Sequence, residues 1–483
     1  MPPIHACRRI SDPAHQTLPV GRVCWLLGLV WLLSGCSRPW LPLHVETTFA
    51  SASLSWSPVQ GHPARLCTVR YRVLGDTAWQ TGLPLWFDRR SWAYRGSLVE
   101  LAPGTAYEAE VALGDGSTRR RATFETWRDD LPIADTVYVR GGTRPLRLTR
   151  SGSPAGYVLY CPAPGDTGII DVQNRYLFCV NIKADYVILR GLDLRGAVEH
   201  GVYIGRQHHV VIEDCDISGW GRPLTTGSTY GATYQAGIMG EGNTDLPRQV
   251  VIQRNRIHHP RYGCQPRHPD ARWPGGPVAI SLQQGGGSYV IRHNEIYSDA
   301  AHAFADGMGE WRNYTFYGFP SRNSDIYGNR ISDCIDDGIE AEGGNENIRI
   351  WDNETARCGT HIATANTNLG PVYLWRNRAA AGGKVWGKFY DRHRPDELGQ
   401  APRGRIFLFY NTLLPGGPQR AFGGAHILSR HNDWRGAAAD TIIRLYGDDN
   451  DLRHDRLRGA VGGRQTDLTQ PDVYGAGLPA RPQ

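Results

Sequence analysis

Four acidic residues fall within seven positions in Asp336-Asp-Gly-Ile-Glu-Ala-Glu342, and a fifth, Asp306, precedes a glycine as Asp337 does. Carboxylates brought close together share protons, and one of them titrates late unless a cation lies between them. If Ile339 faces a core, period-two alternation sends Glu340 and Glu342 outward together with Asp336. Side chains two apart on one strand face are roughly 6–7 Å apart, a separation that suits the acid and base of glycoside hydrolysis. In that chemistry one carboxyl among Asp306, Asp337, Glu340 and Glu342 protonates the glycosidic oxygen, and a second activates water or attacks. Two other readings stay open: Asp306, Asp336, Asp337 and Glu340 as oxygen ligands for calcium, and a solvated acidic turn in which Asp337 caps its own loop.

Aromatic residues crowd the segment Trp311-Arg-Asn-Tyr314-Thr-Phe316-Tyr317-Gly-Phe319 just before this stretch. Flat rings beside carboxylates can stack on the apolar faces of sugar rings while amides and acids take the hydroxyls. Trp311 and Tyr314 are therefore expected in a substrate groove. Phe316 and Phe319 fit either the groove or a small core of the insertion's own. Glu241 occupies the equivalent outward slot of an earlier coil. Basic residues cluster as Arg261, Arg267, His268 and Arg272, and again as Lys384, Lys388, Arg392, His393 and Arg394. Lys384 and Lys388 could contact an acidic sugar, or abstract the proton beside its carboxylate in a lyase or epimerase with calcium in the acidic cluster. No Gly-x-Ser-x-Gly, phosphate-binding loop, dinucleotide fingerprint or zinc-spaced Cys/His set is present.

The elements that must position these side chains are announced by a repeat. Asn329, Asn353 and Asn377 lie 24 apart, each closing one phrase: Ile326-Tyr-Gly-Asn329, Ile350-Trp-Asp-Asn353, Leu374-Trp-Arg-Asn377. Ile252-Gln-Arg-Asn255, Ile291-Arg-His-Asn294 and Leu408-Phe-Tyr-Asn411 repeat it at longer intervals. A unit this short cannot bury its own apolar side, so successive copies must stack on a shared core. Short β-branched runs such as Tyr186-Val-Ile-Leu-Arg, bounded by Gly, Asn or Asp, read as strand and turn. Asparagine at one slot per coil can tolerate αL geometry and hydrogen-bond its neighbour's amide. The expected fold is all-β: a right-handed parallel β-helix over residues 135–470. Across 135–430 the chain resembles the pectate-lyase-like superfamily, which implies a carbohydrate-active scaffold. The Asn-Thr-Asp, Gly-His-Gly and Arg-Ile-Lys signatures of polygalacturonases and the Asp-Pro-His-Glu phrase of alginate epimerases are absent, so no mechanism carries over.

Residues 44–127 lack the repeat and alternate like a small antiparallel sandwich. Trp56, Tyr71 and Leu101-x-Pro103-x-Thr105-x-Tyr107, a tyrosine corner, make this segment resemble a fibronectin type III domain, which implies a spacer or binding module. A junction near 128–134 is expected to join two independently folding units.

At the N-terminus, Arg8, Arg9 and Arg22 precede an apolar run from Val23 to Leu33, too short to span a bilayer and ordered like an export signal. Leu33-Ser34-Gly35-Cys36 resembles the bacterial lipobox. The resemblance implies that residues 1–35 are removed and that Cys36 carries a lipid, and Ser37 implies sorting to the outer membrane. Removing residues 1–35 takes the formal charge from +6 to +4, too little for a nucleic-acid partner. Seven cysteines follow Cys36, an odd number that excludes a complete disulfide framework. Cys334 and Cys358 should stack on adjacent coils as reduced thiols. The expected molecule is a monomeric, lipid-anchored protein of the bacterial cell envelope with a polysaccharide partner and no certain cofactor, calcium being the possible one. Hydrolase, lyase or epimerase, and glycan-binding scaffold are the functions that these residues permit.

Overall fold

The computed structural model describes residues 42–466, 469 and 471–479, apart from 115, 117, 223–233, 242–246 and 265–274. The expected export signal, the Cys36 lipid site, and Arg267, His268 and Arg272 lie outside the described residues. All regular structure among the described residues is β, and no helix is long and apolar enough to cross a membrane.

Seven antiparallel strands form the N-terminal sandwich: β1 (His44–Thr47), β2 (Ser51–Trp56), β3 (Cys67–Val73), β4 (Gln80–Asp88), β5 (Ala93–Val99), β6 (Ala106–Leu113) and β7 (Arg119–Glu125). Their order is β1-β2-β5-β4-β3-β6-β7, with β4 pairing β3 through its first half and β5 through its last residues. The two layers close on Trp56, Val69, Leu85, Tyr94, Leu98, Tyr107 and Val111. The Tyr107 hydroxyl accepts a hydrogen bond from the Ala102 amide at 2.9 Å, pinning the turn into β6 as a tyrosine corner does.

From Ile133 onward the chain winds as a right-handed parallel β-helix. One strand of each coil joins a 12-stranded parallel sheet running from Ile133–Val139 to Asp451–Arg453. The remaining strands form a second and a third face, merged where Arg330–Glu340 and Glu354–Ala363 bend from one face into the other. Bridges from Ile280 to Met308 and from Met308 to Ile339 carry the third face past the insertion at 311–319. Inside runs one continuous apolar column, including Ile212, Ile252, Ile291, Ile326, Ile350, Leu374 and Leu408. Cys334 and Cys358 stand in register on adjacent coils, and both are free thiols.

The asparagines line one interior corner. Asn255, Asn294, Asn329, Asn353, Asn377 and Asn411 are buried, and each side-chain amide donates to the next asparagine's Oδ1, from Asn255 to Asn294 at 3.0 Å through Asn411 to Asn432 at 2.9 Å. The left-handed backbone expected of them sits one residue earlier, on Arg254, His293, Gly328, Asp352, Arg376 and Tyr410. The turn residue, exposed or half-exposed in most coils, absorbs the backbone strain, and the asparagine satisfies amides and carbonyls that the corner would leave unpaired.

The sandwich lies against the solenoid rather than standing off as a spacer. Phe49, Leu83, Trp86, Val99, Trp127 and Leu131 pack with Tyr327, Trp351, Tyr373, Trp375, Phe407 and Phe409 from the outer face of the 12-stranded sheet. Tyr327, Trp351 and Trp375 stack at centroid distances of 4.1 and 4.6 Å. Amid them Arg349 and Asp325 form a fully buried ion pair that Thr48 and Ser53 of the sandwich complete. Residues 42–483 accordingly form one compact unit.

Candidate active site

The acidic residues gather where the chain turns from the second face into the third. Between Cys334 and Asp337 the register against the next coil shifts by one residue, which resets the period-two phase. Asp337 is thereby aligned behind Asp306, whose Oδ1 accepts the Asp337 amide at 3.0 Å. Asp306, Asp337 and Glu340 each offer a carboxylate oxygen within 4.8 Å of the other two. Asn313 of the insertion donates to Glu340 Oε1 at 2.7 Å, and the Tyr234 hydroxyl lies 3.4 Å from both Asp306 Oδ2 and Glu340 Oε2. Glu340, Ala363 and Lys388 stand in register on three successive coils. Lys388 Nζ reaches Asp337 Oδ2 at 2.8 Å and Glu342 Oε1 at 3.1 Å, and Arg394 Nη1 holds the other Glu342 oxygen at 3.1 Å.

A cleft of about 610 Å³ opens over this group. Of the residues singled out in the sequence, Asp306, Asp336, Glu340, Trp311, Tyr314, Glu241 and Lys388 line it. Trp311 and Tyr314 are about half exposed, at 52% and 51%, with the Trp311 indole N–H donating to Gln283 at 2.9 Å. Asp337 and Glu342 are fully buried beneath the lining, so the outward position expected for Glu342 is corrected: Lys388 and Arg394 cover it. Lys384 is exposed and does not line the cleft. Phe319 belongs to the interior, and Phe316 lies under the Arg90 guanidinium of the sandwich, 4.9 Å from the ring centre.

Arg394 of the second basic cluster lines the cleft too, as do Glu310, Tyr234 and Asn313, which the sequence did not single out for it. Glu310 had a readable signal: pairing Met308 with Ile339 puts it opposite Ala341, in a core-facing slot where a carboxyl is out of place. Tyr234 and Asn313 come from irregular segments whose reach no repeat specifies.

The environment separates the carboxyls. Burial, then the charges of Asp336 and Asp337, pushes Asp306 far above the usual carboxylate range. Burial, then Asp306 and Glu342, does the same to Glu340. Asp336, the half-buried one, is raised to about 6 by burial and by Asp337, against the pull of Lys388 and Arg394. Burial lifts Glu342 to about 7 despite Lys388, and Glu310 to about 8. Burial opposes the charge on Lys388, but Glu342 and Asp337 outweigh it and hold the ammonium well above its ordinary pKa. Lys388 is thus ion-paired to Asp337 and Glu342, and Lys384 lies off the cleft.

A family model described as "Right handed beta helix region" matches residues 178–370. Those residues span the coils that supply Asp306, Asp337 and Glu340. No curated protein matches the chain. Among solved structures, a family 28 exopolygalacturonase from Yersinia enterocolitica is similar at 11% identity and a TM-score of 0.33, over 91% of this chain and 99% of that one. What the β-helix can do chemically therefore rests on its cleft. For a cation, Asp306, Asp337 and Glu340 are suitable donors, and Asp337 Oδ1 is buried without a hydrogen-bond partner; Asp336 is not among the converging three.

Proposed function

We propose that the protein is a carbohydrate-active enzyme of the bacterial envelope, a glycoside hydrolase that cleaves a polysaccharide lying along this cleft. The observation that carries the reading is the contrast between neighbouring carboxyls: Asp306 and Glu340 are driven to hold a proton, whereas accessible Asp336 gives its proton up near pH 6. Such a split assigns an acid and a base at neutral pH. Glu340, oriented by Asn313, protonates the glycosidic oxygen, with Asp306 and the Tyr234 hydroxyl holding the shared proton in place. Asp336 activates the attacking water. Asp337 and Glu342 act from below by fixing Lys388 and Arg394. Trp311 and Tyr314 stack on sugar rings. In this reading Cys36 carries the lipid and Ser37 directs the protein to the outer membrane, while the sandwich is a fibronectin type III module fastened to a monomeric enzyme.

The test is a screen of the purified protein against neutral and acidic polysaccharides, reading new reducing ends and ultraviolet absorbance in parallel. Reducing ends without unsaturated product are expected, and Glu340→Gln should lower turnover at least about a hundredfold. Unsaturated product would make it a lyase, and retention of glycan without turnover would make it a binding lipoprotein. The unpaired Asp337 oxygen favours one further reading, calcium held by Asp306, Asp337 and Glu340. Calcium should then raise the melting temperature of the protein but not that of Asp337→Asn.

A further inference from the structure

A second cleft, of about 690 Å³, lies where the sandwich meets the last coils, and it shares no residue with the first. Arg65 from the β2–β3 loop, Arg89 from the β4–β5 turn and Arg403 from the loop before Ile406–Phe409 all line it. All three are exposed, and none has an ion-pair partner among the described residues. The acids beside them are already committed. Asp88 pairs with Arg95 at 2.9 Å, and Asp449 with His426 at 2.7 Å and Arg405 at 3.5 Å. Half-buried Trp86 and Tyr474 add flat apolar surface to the same lining.

The geometry points to an accessory binding site for an anionic saccharide, one bearing phosphate or carboxylate groups. Uncompensated guanidiniums supply charge and paired donors for such groups. The rings supply stacking surface, and the volume suits sugar rings rather than a single inorganic ion. In the first cleft the cations Lys388 and Arg394 are already paired with the buried carboxylates of Asp337 and Glu342. An anionic chain is thus held at the junction, apart from the carboxyls. This site does not depend on the hydrolase reading.

Calorimetric titration at low salt tests it with three probes: glucose 1-phosphate as the phosphate arm, trigalacturonate as the carboxylate arm, and neutral maltotriose. Binding of at least one anionic probe is expected, weakening as salt rises, with no binding of maltotriose. Which arm binds separates a phosphorylated headgroup from an acidic polymer. The double variant Arg65→Gln/Arg403→Gln should weaken binding at least about tenfold without changing the melting temperature, since neither side chain holds an ion pair; Arg89→Gln is an independent second variant. No binding of either anionic probe, equal binding of maltotriose, or full-strength binding by both variants would overturn the proposal.

Discussion

Each residue in the acidic cluster acquires its role from what covers it. Asp336 and Asp337 are adjacent, yet one lines the cleft and the other lies below it against Lys388. In the proposed mechanism Asp336 must be unprotonated to take a proton from water. With its pKa raised to about 6, turnover should fall about tenfold per unit as pH drops below that value. Asp337→Asn removes the neighbouring charge that helps raise it, so the acid limb of its kcat profile should move to lower pH; an unmoved limb would assign that limb to another group. Glu342 offers a stability test. It is fully buried between Lys388 and Arg394. Because burial raises its carboxyl pKa from 4.5 to about 7 despite both cations, its charge costs stability as pH rises through that window, and Glu342→Gln should flatten this part of the pH dependence of stability in urea unfolding.

At the scale of the element, the coil corner is the repeating device. Each asparagine answers an amide, a carbonyl and the next asparagine, inside a core where an unpaired group has no water to turn to. Asn353→Ala should therefore lose roughly 1–3 kcal/mol, and activity per folded molecule should stay nearly intact because the site lies on the third face. Chemical denaturation with turnover measured on the folded fraction checks both halves. The bend at Cys334–Asp337 is a different device. By resetting the strand phase it brings Asp306, Asp337 and Glu340 together, which unbroken alternation would not do.

For the whole molecule, the sandwich and the solenoid are held together both by a connecting segment that is itself pinned to the solenoid and by contacts outside it. Asp129 pairs with Arg292 at 2.7 Å, Leu131 packs into the shared apolar layer, and Arg90 of the sandwich pairs with Asp396, two residues beyond the Arg394 that guards Glu342. Exposed Arg128 should still be cut by trypsin. The nicked halves should elute together on gel filtration and separate only in denaturant, whereas separation in native buffer would restore the picture of two independent units. The lipid anchor is tested on the whole chain: Cys36→Ala should release the protein from the membrane pellet into soluble fractions, and a variant that stays there without precursor accumulating would sink the lipobox reading.

The β-helix was legible from the sequence because its physics is local and periodic. The 24-residue spacing of Asn329, Asn353 and Asn377, with one β-branched strand before each, leaves stacking as the only way to bury the repeat. The glycine that follows each of Asp306 and Asp337, rather than that spacing, aligned the two in advance, since residues at one slot of adjacent coils must be neighbours. Where a side chain depends on the next coil's loop or on the other module, spacing carries no such information. Tyr327, Trp351 and Trp375 point away from the solenoid core, and only the docked sandwich makes them interior. Likewise Glu342 reads as an outward acid until Lys388, two coils on, and Arg394, from a loop tied to Arg90, close over it. The repeat decides which residues stack, whereas the contacts that cross between coils, insertions and modules decide which of those residues meet solvent, and so which carboxyl holds the proton.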